Sequence, residues 1–216
     1  MDLSNPLYKN QAIHTDVTIF SVIDSKIKVL LVKRGNEPFS GGWMLPGGAV
    51  YNNESLDDAA KRELKEKTNI ENVFMRQFYA FGELDRDPRM RTVSIAYIAV
   101  IDADKVSILQ KTRKTLDAQW FDINEVPELL FDHNRMLSKG LEYLKEKIDS
   151  TDILSNILTE KFTISDLHNV HEIILGEELD RRNFMRKMVN SGLIEKTEEQ
   201  VRGKQRRPAY YYKFKK

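Results

Sequence analysis

A chain of 216 residues with 41% hydrophobic content can bury a sizeable core, and it exceeds the usual size of one domain, so one larger and one smaller unit are expected. The absence of cysteine excludes disulfides, thiolate chemistry and cysteine-based zinc sites, and is compatible with a reducing cytosol. The formal net charge of +1 hides an asymmetry: residues 1–150 carry 21 Lys/Arg against 23 Asp/Glu, residues 151–216 carry 13 against 10, and residues 181–216 carry 12 against 3. So dense a basic segment invites a polyanion, the plainer alternative being a solvated face. The start, Met1 to Pro6, has neither a basic nor an apolar leader pattern, and runs such as Val29 to Val32 are too short to span a bilayer. A soluble, cytoplasmic protein with no membrane partner is expected.

In chain order, Thr15 to Ile23 and Ile27 to Lys33 are β-branched and alternating, and the turn-like Asp24-Ser25-Lys26 joins them into a hairpin. After Trp43-Met44-Leu45 comes the turn Pro46-Gly47-Gly48, and then a polar start, Asn52 to Ser55, to a helix reaching Thr68. Its apolar positions Leu56, Ala59, Ala60 and Leu64 recur at three and four residues, which predicts one buried stripe. Strands are expected at about 72–82 and 91–102, separated by the polar loop Glu83 to Arg89. A short strand at Gln119-Trp120-Phe121 leads into a long helix from about His133 to Lys147. The helical pattern lapses and the charge balance changes at Asp149-Ser150-Thr151-Asp152, which places a domain boundary there, with units 1–148 and 149–216. The second unit is too short and basic to be a second enzyme, and the chain contains no internal repeat or low-complexity tract.

Gly48, Glu54, Arg62, Glu63, Leu64, Glu66 and Ile70 fall at the spacing of the Nudix box, so residues near 11–145 resemble a Nudix domain. The resemblance implies an α/β fold, the Nudix α/β/α sandwich with a mixed sheet. The physical logic of the box is that Glu63 and Glu66, three apart, project from one helical face, where hard oxygens hold Mg²⁺ against a pyrophosphate and the metal activates water. These two are the candidate catalytic and metal-ligating residues. Two positions depart from the pattern. Asn69 replaces a glycine, a mild change because Asn tolerates the left-handed conformation that ends helices. Lys67 replaces a second glutamate, which removes a carboxylate and sets an ammonium four residues after Glu63, in the favourable orientation for a Glu–Lys pair. Magnesium would be required only if hydrolysis survives Lys67. Otherwise Glu63 and Glu66 are vestigial, and no cofactor is needed.

The stretch Phe81 to Tyr97 is similar to the Arg-Asp-Pro-Arg loop of ADP-ribose-handling Nudix proteins. Three arginines within six positions, Arg86, Arg89 and Arg91, together with Asp87 and a proline that restricts the backbone, suit an anion site, because guanidinium pairs bidentately with phosphate. The alternative is a solvated turn in which Asp85 and Asp87 pair the arginines. His133 also resembles the family, although a lone His there is more often a cap or packing residue.

Beyond the boundary, Ser165 and Asp166 open a helix with Leu167, Val170, Ile173 and Ile174 on one face, ended by Gly176. A second helix is expected from about Leu179 to Asn190, ended near Gly192. Its inner stripe would be Phe184, Met185, Met188 and Val189, leaving Arg181, Arg182, Asn183, Arg186 and Lys187 outside. Leu193 to Thr197 and Ala209 to Phe214 read as a hairpin with Arg202, Gly203, Lys204, Arg206 and Arg207 at its tip. Helix, turn, helix and basic β-wing is the order of a winged helix, which lays its second helix in the major groove and its wing over phosphates or the minor groove. The nine basic or polar residues named, apart from the glycine, are the candidate DNA contacts. A protein-interaction module with a basic rim is the alternative.

Taken together, the two halves resemble the Nudix-related transcriptional regulators. That resemblance implies a homodimer on a double-stranded DNA operator, with ADP-ribose or a related sugar or nucleotide metabolite, arabinose in other branches, as the small-molecule effector. A Mg-dependent ADP-ribose pyrophosphatase, alone or combined with regulation, is the competing function.

Overall fold

The computed structural model describes residues 11–149, 151–201 and 210–215, without the side chains of residues 151 and 152. Two long strands open the fold, β1 (Ala12–Ile23) and β2 (Lys26–Arg34). Asp24 and Ser25 join them at φ 53° and 58°, the two left-handed positions of a turn whose twist matches a hairpin. The strands pair only over Phe20–Ile23 against Lys26–Val29 and then diverge. Into the wedge between them run β3 (Trp43–Met44), paired with Val32 and Lys33, and β4 (Gly47–Ala49), paired with His14, Thr15 and Asp16. This splayed region carries the site described below.

The first helix, α1 (Leu56–Thr68), starts where Ser55 accepts a hydrogen bond from the Asp58 N–H and stops at Asn69, which takes φ 67°. The hairpin β5 (Arg76–Phe81) and β6 (Thr92–Val100) follows, and β7 (Thr115–Asp122) returns to pair antiparallel with β2. The β1–β6 pair is parallel, Ala12 with Thr92 through to Phe20 with Val100. A parallel pair needs a crossover, and the chain between them carries α1. The mixed sheet has seven strands, ordered β3-β2-β1-β6-β5 with β4 on β1 and β7 on β2.

Alternation along β1 sends Val17 and Ile19 to a core shared with Ala60 and Leu64 of α1. Phe20 goes to the opposite core, with Met136, Leu137 and Leu144 of α2 (His133–Glu146). The expected sandwich is therefore present. Gly140 permits its close packing: a Cβ there would lie 3.1 Å from Thr18 Cγ2.

The chain enters a further helix, α3 (Thr151–Ile157), at the point where the helical pattern was expected to lapse. Ile153 and Leu154 are buried against Ile148 and extend the α2 core without a break into Phe162, Leu167, Val170, Ile174, Phe184 and Met188. Those belong to α4 (Ile164–Leu175), α5 (Arg181–Asn190) and the segment before them, followed by the hairpin β8 (Ile194–Gln200) and β9 (Tyr210–Phe214). The first of these helices begins one residue earlier than expected, with Thr163 as its cap and Asp166 as the reciprocal partner in a capping box. In α5 the predicted inner stripe is halved: Phe184 and Met188 are buried, whereas Met185 and Val189 are 46% and 45% exposed. Residues 72–75 stay outside β5, with Asn72 at φ 57°.

Candidate functional site

The acidic face of α1 lies against the β3–β4 turn. Gly48 makes this approach possible, since a Cβ there would sit 2.5 Å from the Glu63 carboxyl carbon. Glu63 Oε1 accepts hydrogen bonds from Arg62 Nη1 at 2.5 Å and Lys114 Nζ at 3.1 Å. Glu63 Oε2 has no hydrogen-bond partner among the described residues, and it faces Lys67 Nζ at 3.7 Å. The Lys67 ammonium is buried and donates to the Gly47 carbonyl. Burial pushes its pKa below the ordinary lysine value, against the field of Glu63. Lys114 also reaches Glu66 Oε2 at 2.5 Å and holds that carboxylate below its usual range. Arg62 grips Glu54 through two nitrogens at 2.6 and 2.9 Å, and these hydrogen bonds depress Glu54 to about 2.

Three carboxylates, Glu54, Glu63 and Glu66, are thus interleaved with three cations, Arg62, Lys67 and Lys114. Mg²⁺ needs oxygens that are free to turn towards it in near-octahedral array. Here one Glu63 oxygen is shared by two cations and the other faces a third. Among the described residues no group of three acidic or histidine side chains is arranged to hold a metal. The residues present do not fit the magnesium site that the box spacing implies.

Below this cluster opens a cleft of about 240 Å³, floored by Asp16 and His133 and lined by Arg34, Lys67, Arg86, Asp87, Arg89 and Lys114. Asp16 is fully buried. Burial opposes its charge, yet the His133 ring and the Ser94 hydroxyl, which donates at 2.6 Å, hold its pKa below normal. The Leu45 N–H donates to His133 Nδ1 at 3.0 Å, so the neutral ring carries its proton on Nε2, facing Asp16 Oδ1 at 3.7 Å. Burial lowers the His133 pKa and favours that neutral form.

Of the four loop residues nominated from the sequence, three line the cleft. Arg86 is buried, bidentate to Asp132 at 2.8 and 3.1 Å, and 3.8 Å from Asp16. Arg89 is bidentate to Asp87 at 2.6 and 2.9 Å, the pairing that the solvated-turn alternative anticipated, and the exposed guanidinium stands at the edge of the cleft. Arg91 points elsewhere: it donates to the carbonyls of Glu83 and Thr92 and braces the base of the loop. Sequence reasoning missed Asp16, Arg34, Lys114 and Asp132, and read His133 as a cap or packing residue. Asp16 alone carried a signal, a carboxylate inside an apolar strand. The others are unremarkable in sequence and meet only in space.

On the opposite end of the chain, Asp180 caps α5 by accepting from the Asn183 N–H. Arg181, Arg182, Asn183, Arg186 and Lys187 are all exposed. Arg181 donates to Ser165 Oγ at 2.7 Å, Arg186 donates to Asn183 Oδ1 at 3.0 Å, and Lys187 pairs with Asp149 at 2.6 Å. Asp149 also meets His171 Nε2 at 3.2 Å, so one carboxylate ties α4 and α5 to the segment that follows α2. Burial opposes its charge, but Lys187 and His171 outweigh that and keep its pKa low. Arg202, Lys204, Arg206 and Arg207 lie outside the described residues.

Two family models match the chain, a NUDIX domain over residues 12–140 and the NrtR DNA-binding winged helix domain over residues 154–214. The ADPR responsive transcriptional repressor NtrR of Acinetobacter baylyi is 32% identical over 212 residues, covering 96% of this chain and 83% of that protein. Shewanella oneidensis NrtR complexed with a 27mer DNA matches with a TM-score of 0.75 at 30% identity, covering 94% of this chain and 93% of that one. The NUDIX domain of the same Shewanella protein, complexed with ADP ribose, matches with a TM-score of 0.59 at 32% identity, covering 65% of this chain and 93% of that one. With box, cleft and winged helix in one chain and relatives matched along nearly its whole length, the protein belongs to the Nudix family, in its NrtR branch of transcriptional regulators.

Proposed function

We propose that this chain is a DNA-binding transcriptional regulator whose Nudix cleft takes ADP-ribose or a closely related metabolite as an effector and does not hydrolyse it. The observation that carries the reading is the buried Lys67 ammonium, hydrogen-bonded to Gly47 and set against Glu63 where the box pattern has a carboxylate. With Arg34, Arg89 and Lys114 it turns the cleft into a cradle for phosphate oxygens. Arg86 and Asp87 act as braces, one fixing Asp132 and the other orienting Arg89. Arg91 supports the loop rather than the ligand.

Residues 149–216 form the DNA-binding unit, with α5 entering the major groove and the 202–207 segment following the phosphate backbone. Two copies act as a homodimer on a symmetric operator, because half-sites related by a twofold axis demand a twofold protein. The effector acts by binding the DNA-competent and DNA-incompetent dimers with different affinity. Such a regulator works in the cytoplasm, and no described helix is long and apolar enough to cross a membrane.

The test is a gel shift on the DNA upstream of its own operon, with and without ADP-ribose or arabinose. Binding that weakens steeply with salt and responds to ADP-ribose is expected. No shift at low salt overturns the regulator reading. A parallel assay for Mg²⁺-dependent AMP release compares the wild type with Lys67→Glu and Glu66→Gln. Robust wild-type turnover, lost in Glu66→Gln, overturns the non-hydrolytic part.

A further inference from the structure

Helix α5 displays two large apolar side chains, Met185 at 46% and Val189 at 45% exposed. Loose seating of the helix is not the reason. Its inner row is filled: Phe184 packs edge to face on the rings of His168 and His171 of α4, with centroids 5.0 and 4.8 Å apart, and Met188 is fully buried. Asp180 caps the first turn, Arg181 donates to Ser165 Oγ, and Lys187 pairs with Asp149. These contacts fix the rotation of α5 about its own axis. Met185 and Val189 could turn under cover only by expelling Phe184 and Met188, and a close-packed interior resists that exchange.

Residues three and four apart are neighbours on a helix, and Arg182, Met185, Arg186 and Val189 follow that spacing. One face therefore carries an apolar pair flanked by two guanidinium groups. With Arg181 and Lys187, the helix has four basic residues and no acidic one. A partner that fits such a face is a polyanion that also projects apolar groups. The major groove of double-stranded DNA has both properties: phosphates rim it, an α-helix enters it, and every thymine exposes a 5-methyl group there. Double-stranded RNA has neither the open major groove nor the methyl.

We infer that Met185 and Val189 are specificity-determining residues that lie against thymine 5-methyl groups, so that α5 reads thymine at those base pairs by apolar contact and not by hydrogen bonding. The inference rests on α5 being the helix that enters the major groove. Covering one methyl-sized group removes enough apolar surface from water to change affinity about fourfold.

Gel shifts of the full chain on the DNA upstream of its own operon provide the test, with a series of duplexes that each carry deoxyuridine in place of one thymine. That substitution keeps the base pair and removes the methyl. The wild type is compared with Met185→Ala and Val189→Ala. Both positions are exposed and alanine favours helix, so both variants should melt within about 2 °C of the wild type. The wild type should lose about fourfold in affinity at one or two thymines per half-site. Each variant should bind the all-thymine duplex more weakly and be indifferent to deoxyuridine at the position its side chain covered. Wild-type affinity that is the same for every duplex, or variants that keep the full thymine preference, overturns the methyl contact and leaves the DNA-binding reading standing. No shift of any duplex at low salt overturns that reading and the inference with it.

Discussion

Replacing Lys67 by methionine tests the feature on which the functional reading turns. Methionine nearly matches lysine in length and fits a site where the lysine side chain is 9% exposed, but it brings neither a charge nor a donor. The Gly47 carbonyl loses its side-chain partner, and an unsatisfied buried acceptor costs about 1–3 kcal/mol. Removing one partner of a buried ion pair costs about 3–5 kcal/mol when nothing else compensates. Here Arg62 and Lys114 still hold Glu63 Oε1, and the substitution relieves the desolvation of the ammonium. A net loss of about 2 kcal/mol follows, or roughly 4–8 °C in Tm for a chain of this size. Urea unfolding followed by tryptophan fluorescence reads it directly, because Trp43 and Trp120 both lie in the sheet that carries the cleft.

The pH dependence has a definite sign. The folded pKa of Lys67 lies below the unfolded value of 10.5, so between the two the unfolded chain keeps a proton that the folded chain releases. Wild-type stability relative to Lys67→Met therefore rises with pH through that window. A variant as stable as the wild type at neutral pH would refute the claim that this lysine is bonded into the site.

Gly48→Ala should lose about 1–3 kcal/mol, because its Cβ would press on a Glu63 carboxylate that Arg62 and Lys114 hold in place; unaltered thermal stability would mean that the helix and turn are not in contact. The Glu54–Arg62 contribution is complete above the ordinary glutamate value of 4.5 and is lost as pH falls towards about 2, so an acid titration followed by circular dichroism should be flatter there for Glu54→Gln. Asp149→Asn weakens the hold on Lys187 and should steepen the salt dependence of operator binding by about 0.9 in the slope of log K against log salt; an unchanged slope would show that Lys187 does not reach a phosphate.

Local chemistry was legible where one residue decides one geometry. Ser55 and Asn69 cap α1 because a hydroxyl accepts from a first-turn N–H and asparagine tolerates positive φ, both properties of single residues. The identity of Lys67 announced an ammonium beside Glu63 in place of a carboxylate, and the structure sets it there. Distance in sequence hid the rest. Asp16, His133 and Asp132 meet only because β1 lies parallel to β6 beneath α2, and no local pattern encodes that pairing. The helix α3 escaped notice because its seven residues open on polar side chains and bury few apolar ones. In α5, periodicity marked four apolar positions, yet packing covers only the row of Phe184 and Met188; Met185 and Val189 lie one position round the helix and face solvent. Arg91 reads like Arg89 in sequence, but a hydrogen bond to the Glu83 carbonyl turns it away.

The unbroken packing from Met136 and Leu144 through Ile148 and Leu154 to Leu167 and Met188 has a thermodynamic consequence. Two units joined by a solvated tether melt separately, and each is indifferent to what the other binds. Here a single core runs through both units and α4 packs on α2 and β2, so opening either half exposes apolar surface that the other half was covering. The chain should melt in a single transition, and a small molecule bound only in the cleft should raise the melting temperature of the helices at the far end.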